Sequence, residues 1–288
     1  MNKEQYTNSK TIIDFIEWVK PRISGEIEFK HSYTSNKTKL YWSCNSIYNA
    51  YENYSWPFTC ILPNGKKIKG KSFGQSEVLL ENIEFGMKSA IMNKNAKDLL
   101  LYSRSMLDWG GVLRSNYNKL EDMGDRIIQF YELASRKLDP ESVNTRDSFE
   151  GIIMNSGFTK LYSLIIDDFV IYDSRVGAAL GLLVRYYLED RDIGVIPEEL
   201  NFSYGNSRPT KSDVGPINKR NPSSRRYKFT QLANNGKKHI KNNIYANWLL
   251  GEIAKESEFS SEKNPIRALE ASLFMIGYQV NTGEKLPE

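Results

Sequence analysis

Gly157-Phe-Thr-Lys160, with Asp173 thirteen residues further on in Ile171-Tyr-Asp-Ser-Arg-Val-Gly-Ala-Ala-Leu180, is the stretch on which the reading of this chain turns. The glycine predicts a tight turn that exposes backbone N–H groups and leads directly to the lysine. Asp173 stands immediately before a long helical run, the position of an N-cap whose carboxylate accepts the first free N–H groups of the helix. On the residues alone capping suffices to explain it. Capping and chemistry can coexist, however, because a cap also sets the direction of its carboxylate. A lysine is a nucleophile only when partly deprotonated, and a carboxylate serves as a base or cation stabiliser only when held in a cleft. Lys160 and Asp173 across one bend are therefore a candidate catalytic pair.

Working outward, Ile12, Ile13, Phe15, Ile16 and Val19 recur at helical spacing and predict an amphipathic helix over 9–20 that stops at Pro21. Residues 26–70 change character. Glu26–Phe29, Lys39–Trp42 and Phe58–Leu62, with Pro63-Asn-Gly65 as a turn, predict a few short strands. Beyond residue 75 the pattern is helical, over about 76–93, 96–108, 112–121, 125–138, 146–155, 160–166, 174–189, 242–257 and 265–278. The expected class is mainly α (α+β), with a small N-terminal helix and β-rich lobe over 1–75 and a helical body over 76–288. Residues 191–240, rich in Asn, Ser, Pro, Gly and basic side chains, form a connection too long to be passive and too polar to be core.

Composition narrows the chemistry. A chain of 288 residues can bury a sizeable core. No run of about 18 apolar residues is present, and the first residues lack the apolar segment of a secretory signal, so a cytoplasmic protein without membrane attachment is expected. Cys44 and Cys60 are the only cysteines and His31 and His239 the only histidines. That leaves little material for a zinc site, an iron-sulfur cluster or a Ser-His-Asp triad. No metal or cofactor is expected, and any catalysis must rest on Asp, Glu, Lys or Tyr. The net charge of +4 is unevenly placed: between Arg208 and Lys241 ten Lys or Arg face one acid, Asp213, so that segment carries +9 and the rest −5. A polyanion, most commonly nucleic acid, fits such a strip, through Arg225, Arg226 and Lys228 among others. A solvated basic loop is the bland alternative.

Phe149 to Leu188 resembles the helix-hairpin-helix core of the HhH-GPD superfamily of DNA glycosylases, above all its 8-oxoguanine-glycosylase-like branch. Gly157-Phe-Thr-Lys160 is similar to the end of the hairpin, and Val170-Ile-Tyr-Asp173-Ser-Arg-Val176 to the motif around the catalytic aspartate. The hairpin departs from the family in lacking the second glycine of Gly-x-Gly, and the interval from Lys160 to Asp173 is several residues shorter. The resemblance implies a monomeric enzyme acting on double-stranded DNA that flips a damaged or modified base into a pocket and cleaves its N-glycosidic bond. Asp173 would stabilise the developing positive charge on the sugar or activate the nucleophile. Lys160 would attack C1′ and supply any strand-cutting activity. Gly157, Thr159 and Arg175 would contact DNA, and bacterial members that remove phage bases such as glucosylated hydroxymethylcytosine make modified bases expected substrates beside damaged ones.

Trp109, in Asp108-Trp-Gly-Gly-Val112, is a candidate pocket wall, and Asn116 a candidate to fill the gap left by the flipped base. Trp109 as a core anchor serves the same pattern. Two other readings stay open. Glu28-Phe-Lys30 with Asp14 upstream imitates a metal-dependent nuclease core. A non-catalytic nucleic-acid-binding module would need only the hairpin and the basic strip.

Overall fold

The computed structural model describes residues 1–35, 39–206, 218–232 and 235–281. In chain order the elements are α1 (Lys3–Thr7), α2 (Lys10–Ser24), β1 (His31–Thr34), β2 (Tyr41–Cys44), α3 (Ile47–Glu52), β3 (Phe58–Ile61) and β4 (Lys67–Gly70). There follow α4 (Phe73–Met92), α5 (Ala96–Trp109), α6 (Leu113–Glu121), α7 (Ile127–Leu138), α8 (Ser156–Tyr162), α9 (Ser174–Asp190), α10 (Gly236–Lys255) and α11 (Pro265–Ile276). The described residues are thus mainly helical with two antiparallel strand pairs, β1–β2 and β3–β4. No helix among them is long and apolar enough to cross a membrane.

The chain divides into two units, one of Met1–Lys3 with Ser55–Ile171, the other of Glu4–Tyr54 with Tyr172–Glu288. The expected boundary near residue 75 does not follow this division, because the N-terminal strands separate: β3–β4 joins the first unit, where β3 packs on α5, and β1–β2 joins the second. In the first unit α5 is the hub, packing against α4, α6, α7 and α8. Its buried face, Leu99, Met106 and Leu107, recurs at helical spacing. Phe130, Phe158 and Tyr162 form an aromatic cluster between α7 and α8, with Phe130 and Phe158 edge to face at 5.8 Å. In the second unit α9 is buried on nearly every side, and α2 and α11 pack against it. Its composition, Val-Gly-Ala-Ala-Leu-Gly-Leu-Leu-Val, suits a helix enclosed all round.

Local chemistry explains the helix starts. Ser72 and Gln75 form a capping box at α4, Asn95 caps α5, Asn155 caps α8 and Asp173 caps α9. Four expectations need correction. Pro21 lies inside α2 rather than ending it: a proline removes one N–H, buried Ile23 draws the chain through a further turn, and Gly25 closes the helix at φ 89°. Residues 26–29 are not a strand, which begins at His31. Residues 146–155 are turns and coil, and Lys137 Nζ donates to the carbonyls of Ser148 (2.8 Å) and Glu150 (3.0 Å) there. Residues 191–240 are not uniformly polar surface: Leu200, Phe202, Tyr204, Tyr227 and Phe229 are core side chains.

Candidate functional site

In the first unit the stretch from Gly157 to Lys160 is helix, not the tight turn expected of it. Asn155 Oδ1 accepts from the N–H groups of Gly157 (2.7 Å) and Phe158 (3.1 Å), which starts α8 ahead of the glycine. Gly157 is required by a close approach, since a Cβ there would lie 2.2 Å from Asn116 Nδ2. Asn116 is only 7 % exposed; its amide donates to Val112 O (2.8 Å) and its Oδ1 accepts from Asn155 (3.0 Å). The residue expected to fill a gap in DNA thus ties α6 to the start of α8. Thr159, expected at the DNA surface, is fully buried, and its N–H and hydroxyl bond Asn155 O and Ser156 O within the helix.

Lys160 is 5 % exposed, a low value for an aliphatic amine. Its stem crosses the Trp109-Gly-Gly turn so closely that a Cβ on Gly110 would lie 2.5 Å from Lys160 Cδ. Nζ donates to Ser156 O at 3.2 Å. Gly111 takes φ +64°, the left-handed conformation that reverses the chain between α5 and α6. Trp109 is half-buried on this turn, and its indole N–H is enclosed with no hydrogen bond among the described residues.

In the second unit Asp173 is half-buried at the head of α9. Its Oδ1 accepts from the N–H groups of Arg175 (2.8 Å) and Val176 (3.2 Å). The carboxylate is therefore held in one orientation without being sealed in the core. The backbone leading to it is also braced. Tyr172 donates to Ser203 O (2.7 Å) and lies 3.2 Å from Asn242 Oδ1, while His239 Nε2 bonds Tyr172 O at 2.8 Å. Burial raises the Tyr172 phenol well above its ordinary value, so it stays a neutral donor.

Two residues after the cap, Arg175 is 6 % exposed and threads into an aromatic stack. Its guanidinium lies 4.1 Å from the Phe274 ring and 5.0 Å from that of Tyr278. Tyr278 stacks on Tyr33 at 4.5 Å, and Tyr33 on Trp42 at 4.9 Å. The pKa of Arg175 is pushed down to about 10, chiefly by burial and next by the like charge of Arg220, while Asp173 acts the other way. Arg220 Nη1 in turn donates to Ser174 Oγ. Arg175 is thus enclosed by protein rather than standing on a surface open to a duplex backbone.

Of the basic strip, Arg208, Lys211 and Asp213 lie outside the described residues. Arg225, Arg226 and Lys228 are exposed, and Arg226 pairs with Asp192 at 2.7 Å. Tyr227 and Phe229 alternate with them and point inward, Tyr227 donating to Ile193 O at 2.7 Å. This alternation is visible in Arg226-Tyr-Lys-Phe-Thr230 and is the sequence signal that separates the core half of the segment from its basic face. For Tyr33, Tyr278, Arg220 and Asn242 no local signal exists, because each reaches the head of α9 from a distant part of the chain.

The strand expected to carry Glu28 and Lys30 is absent. Glu28 and Lys30 lie on coil and pair with each other at 2.8 Å, Asp14 is exposed on α2, and no group of three or more His, Cys, Asp or Glu among the described residues could hold a metal ion. No family model matches this chain, and neither a curated protein nor a solved structure does so.

Proposed function

We propose that this protein is a DNA glycosylase that extrudes a damaged or modified base from double-stranded DNA and cleaves its N-glycosidic bond, leaving an abasic site. The observation that carries this reading is the Asp173 carboxylate, oriented by two backbone N–H groups, half-open to solvent, and set beside a guanidinium held in an aromatic stack. A pre-oriented carboxylate suits a reaction whose transition state carries positive charge on the sugar. Asp173 stabilises that charge or takes the proton of the attacking water while the base departs with the bonding electrons. The exposed basic face of Arg225, Arg226 and Lys228 supplies attraction for phosphates that is independent of sequence. Lys160 is the candidate amine for a second route, in which Nζ instead of water attacks C1′ and the resulting imine leads to strand cleavage.

The test is to incubate the protein, in chelator, with duplexes carrying damaged and phage-type modified bases, and to score alkali-dependent breaks and borohydride-trapped adducts. Asp173→Asn should lower base release by about 100-fold or more, while Asn, nearly as good an N-cap, leaves melting and DNA affinity almost unchanged. Release that survives in Asp173→Asn, or binding with no release from any duplex, would refute the assignment; the second outcome is that of a plain binding module.

A further inference from the structure

We propose that the β3–β4 strand pair is a further DNA-contact surface, on which Lys67 and Lys69 meet backbone phosphates. The inference rests on the glycosylase reading and adds to it a surface in the first unit, whereas Arg225, Arg226 and Lys228 belong to the second. Between Glu52 and Glu77 the chain carries Lys66, Lys67, Lys69 and Lys71 and no acid. All four are exposed, and none has an ion-pair partner among the described residues. Other exposed lysines of the same unit do have one: Lys88 pairs with Glu84 at 3.0 Å, and Lys94 pairs with Glu132.

The strand register sorts the side chains into two faces. Phe58 and Cys60 are buried, so their cross-strand partners Gly70 and Ile68 share the inner face, and Thr59, Ile61, Lys67 and Lys69 share the outer one. Lys67 stands opposite Ile61 and Lys69 opposite Thr59, so no carboxylate faces either amine across the pair. The two lysines lie about 6.6 Å apart along β4, and a duplex presents a charge about every 1.7 Å of its axis, so each amine can meet its own phosphate. Such a row suits a repeating polyanion. A bilayer suits it less, because Ile61 is the one large apolar side chain on this face and adsorption to lipid also requires buried apolar area. The surface is fixed to the body of the unit. Ile61 N donates to Asp108 Oδ2 (2.9 Å), Ile61 O accepts from Ser105 Oγ (2.7 Å), and Cys60 Sγ donates to Ser105 O (3.3 Å). These bonds hold β3 to α5 directly before the Trp109-Gly-Gly turn over which the stem of Lys160 passes.

The test measures affinity of the full chain for an unmodified duplex, across a range of NaCl, for wild type, Lys67→Gln/Lys69→Gln, Lys67→Arg/Lys69→Arg and the control Lys94→Gln. This readout needs no catalysis, and substitutions at such exposed positions should leave melting unchanged. The Gln pair removes two phosphate contacts and should reduce the slope of log affinity against log salt by about two, whereas the Arg pair and Lys94→Gln keep it. An unchanged slope in the Gln pair overturns the proposal while leaving the glycosylase reading in place. If that variant then self-associates, the lysines guard the edge of β4 against strand pairing, and if it instead loses binding to phosphatidylserine vesicles, they serve a membrane. A reduced slope in a protein that releases no base from any duplex upholds the surface and refutes the glycosylase reading. Absence of salt-dependent binding by the wild type overturns both.

Discussion

Gly277→Ala is the most demanding test of how the head of α9 is built. Gly277 ends α11 at φ −72°, a conformation alanine adopts freely, so the substitution adds no backbone strain. Its new Cβ would nevertheless lie 1.9 Å from the Arg175 carbonyl oxygen, 2.6 Å from its carbon and 2.9 Å from its Cα. All three are backbone atoms of the first turn of α9, so no flexible side-chain end can swing aside. Restoring an ordinary contact of about 3.5 Å requires a relative shift of roughly 1.5 Å between α11 and α9. A packed interior resists such movement, and overpacking typically costs about 1–3 kcal/mol. With backbone on both sides the expected loss is about 3 kcal/mol, a fall in Tm of roughly 6–12 °C for a chain of this size. Circular dichroism melts measure it. Gly74→Ala is the control, because a Cβ there meets nothing within 4 Å and alanine gains about 0.5–1 kcal/mol in a helix. In the proposed reaction the same shift moves Asp173, and a displacement of about 1 Å lowers a positioned step on the order of 100-fold. A Gly277→Ala protein that melts within about 1 °C of wild type and retains its rate would refute this account of the α9–α11 contact.

Two further predictions concern the other buried groups. His31 is buried with Nε2 on Ile276 O at 3.0 Å, and burial lowers its pKa below the ordinary 6.5. Between those two values the unfolded chain binds more protons than the folded one, so stability falls as pH drops through 6.5 towards the folded pKa and is then level. The drop in denaturation midpoint between pH 7.5 and 5.5 should therefore be smaller in His31→Gln; an equal drop would show that His31 is not its source. In the first unit, Gly157→Ala drives a Cβ into Asn116 and should destabilise by about 1–3 kcal/mol. Asn116→Ala removes the obstructing amide, so a double-mutant cycle of denaturant midpoints should show a coupling of about 1 kcal/mol or more, and strict additivity would place the cost elsewhere.

The sequence by itself determined that the chain is mainly helical and where α9 starts. The cap at Asp173 and the apolar run behind it act within a few residues, so local order suffices to read them. It also revealed where charge concentrates along the chain. It did not reveal that Gly157 serves close packing instead of a turn, because that depends on Asn116 of another helix. Nor did it show that Pro21 is carried inside α2 by the burial of Ile23. The tertiary structure alone decided what surrounds the candidate carboxylate. Tyr33, Phe274 and Tyr278 stack around Arg175, and Arg220 reaches Ser174, from segments far apart along the chain. Periodicity and capping report neighbours three or four residues away, whereas such contacts form only when burial of many apolar faces at once brings distant segments together.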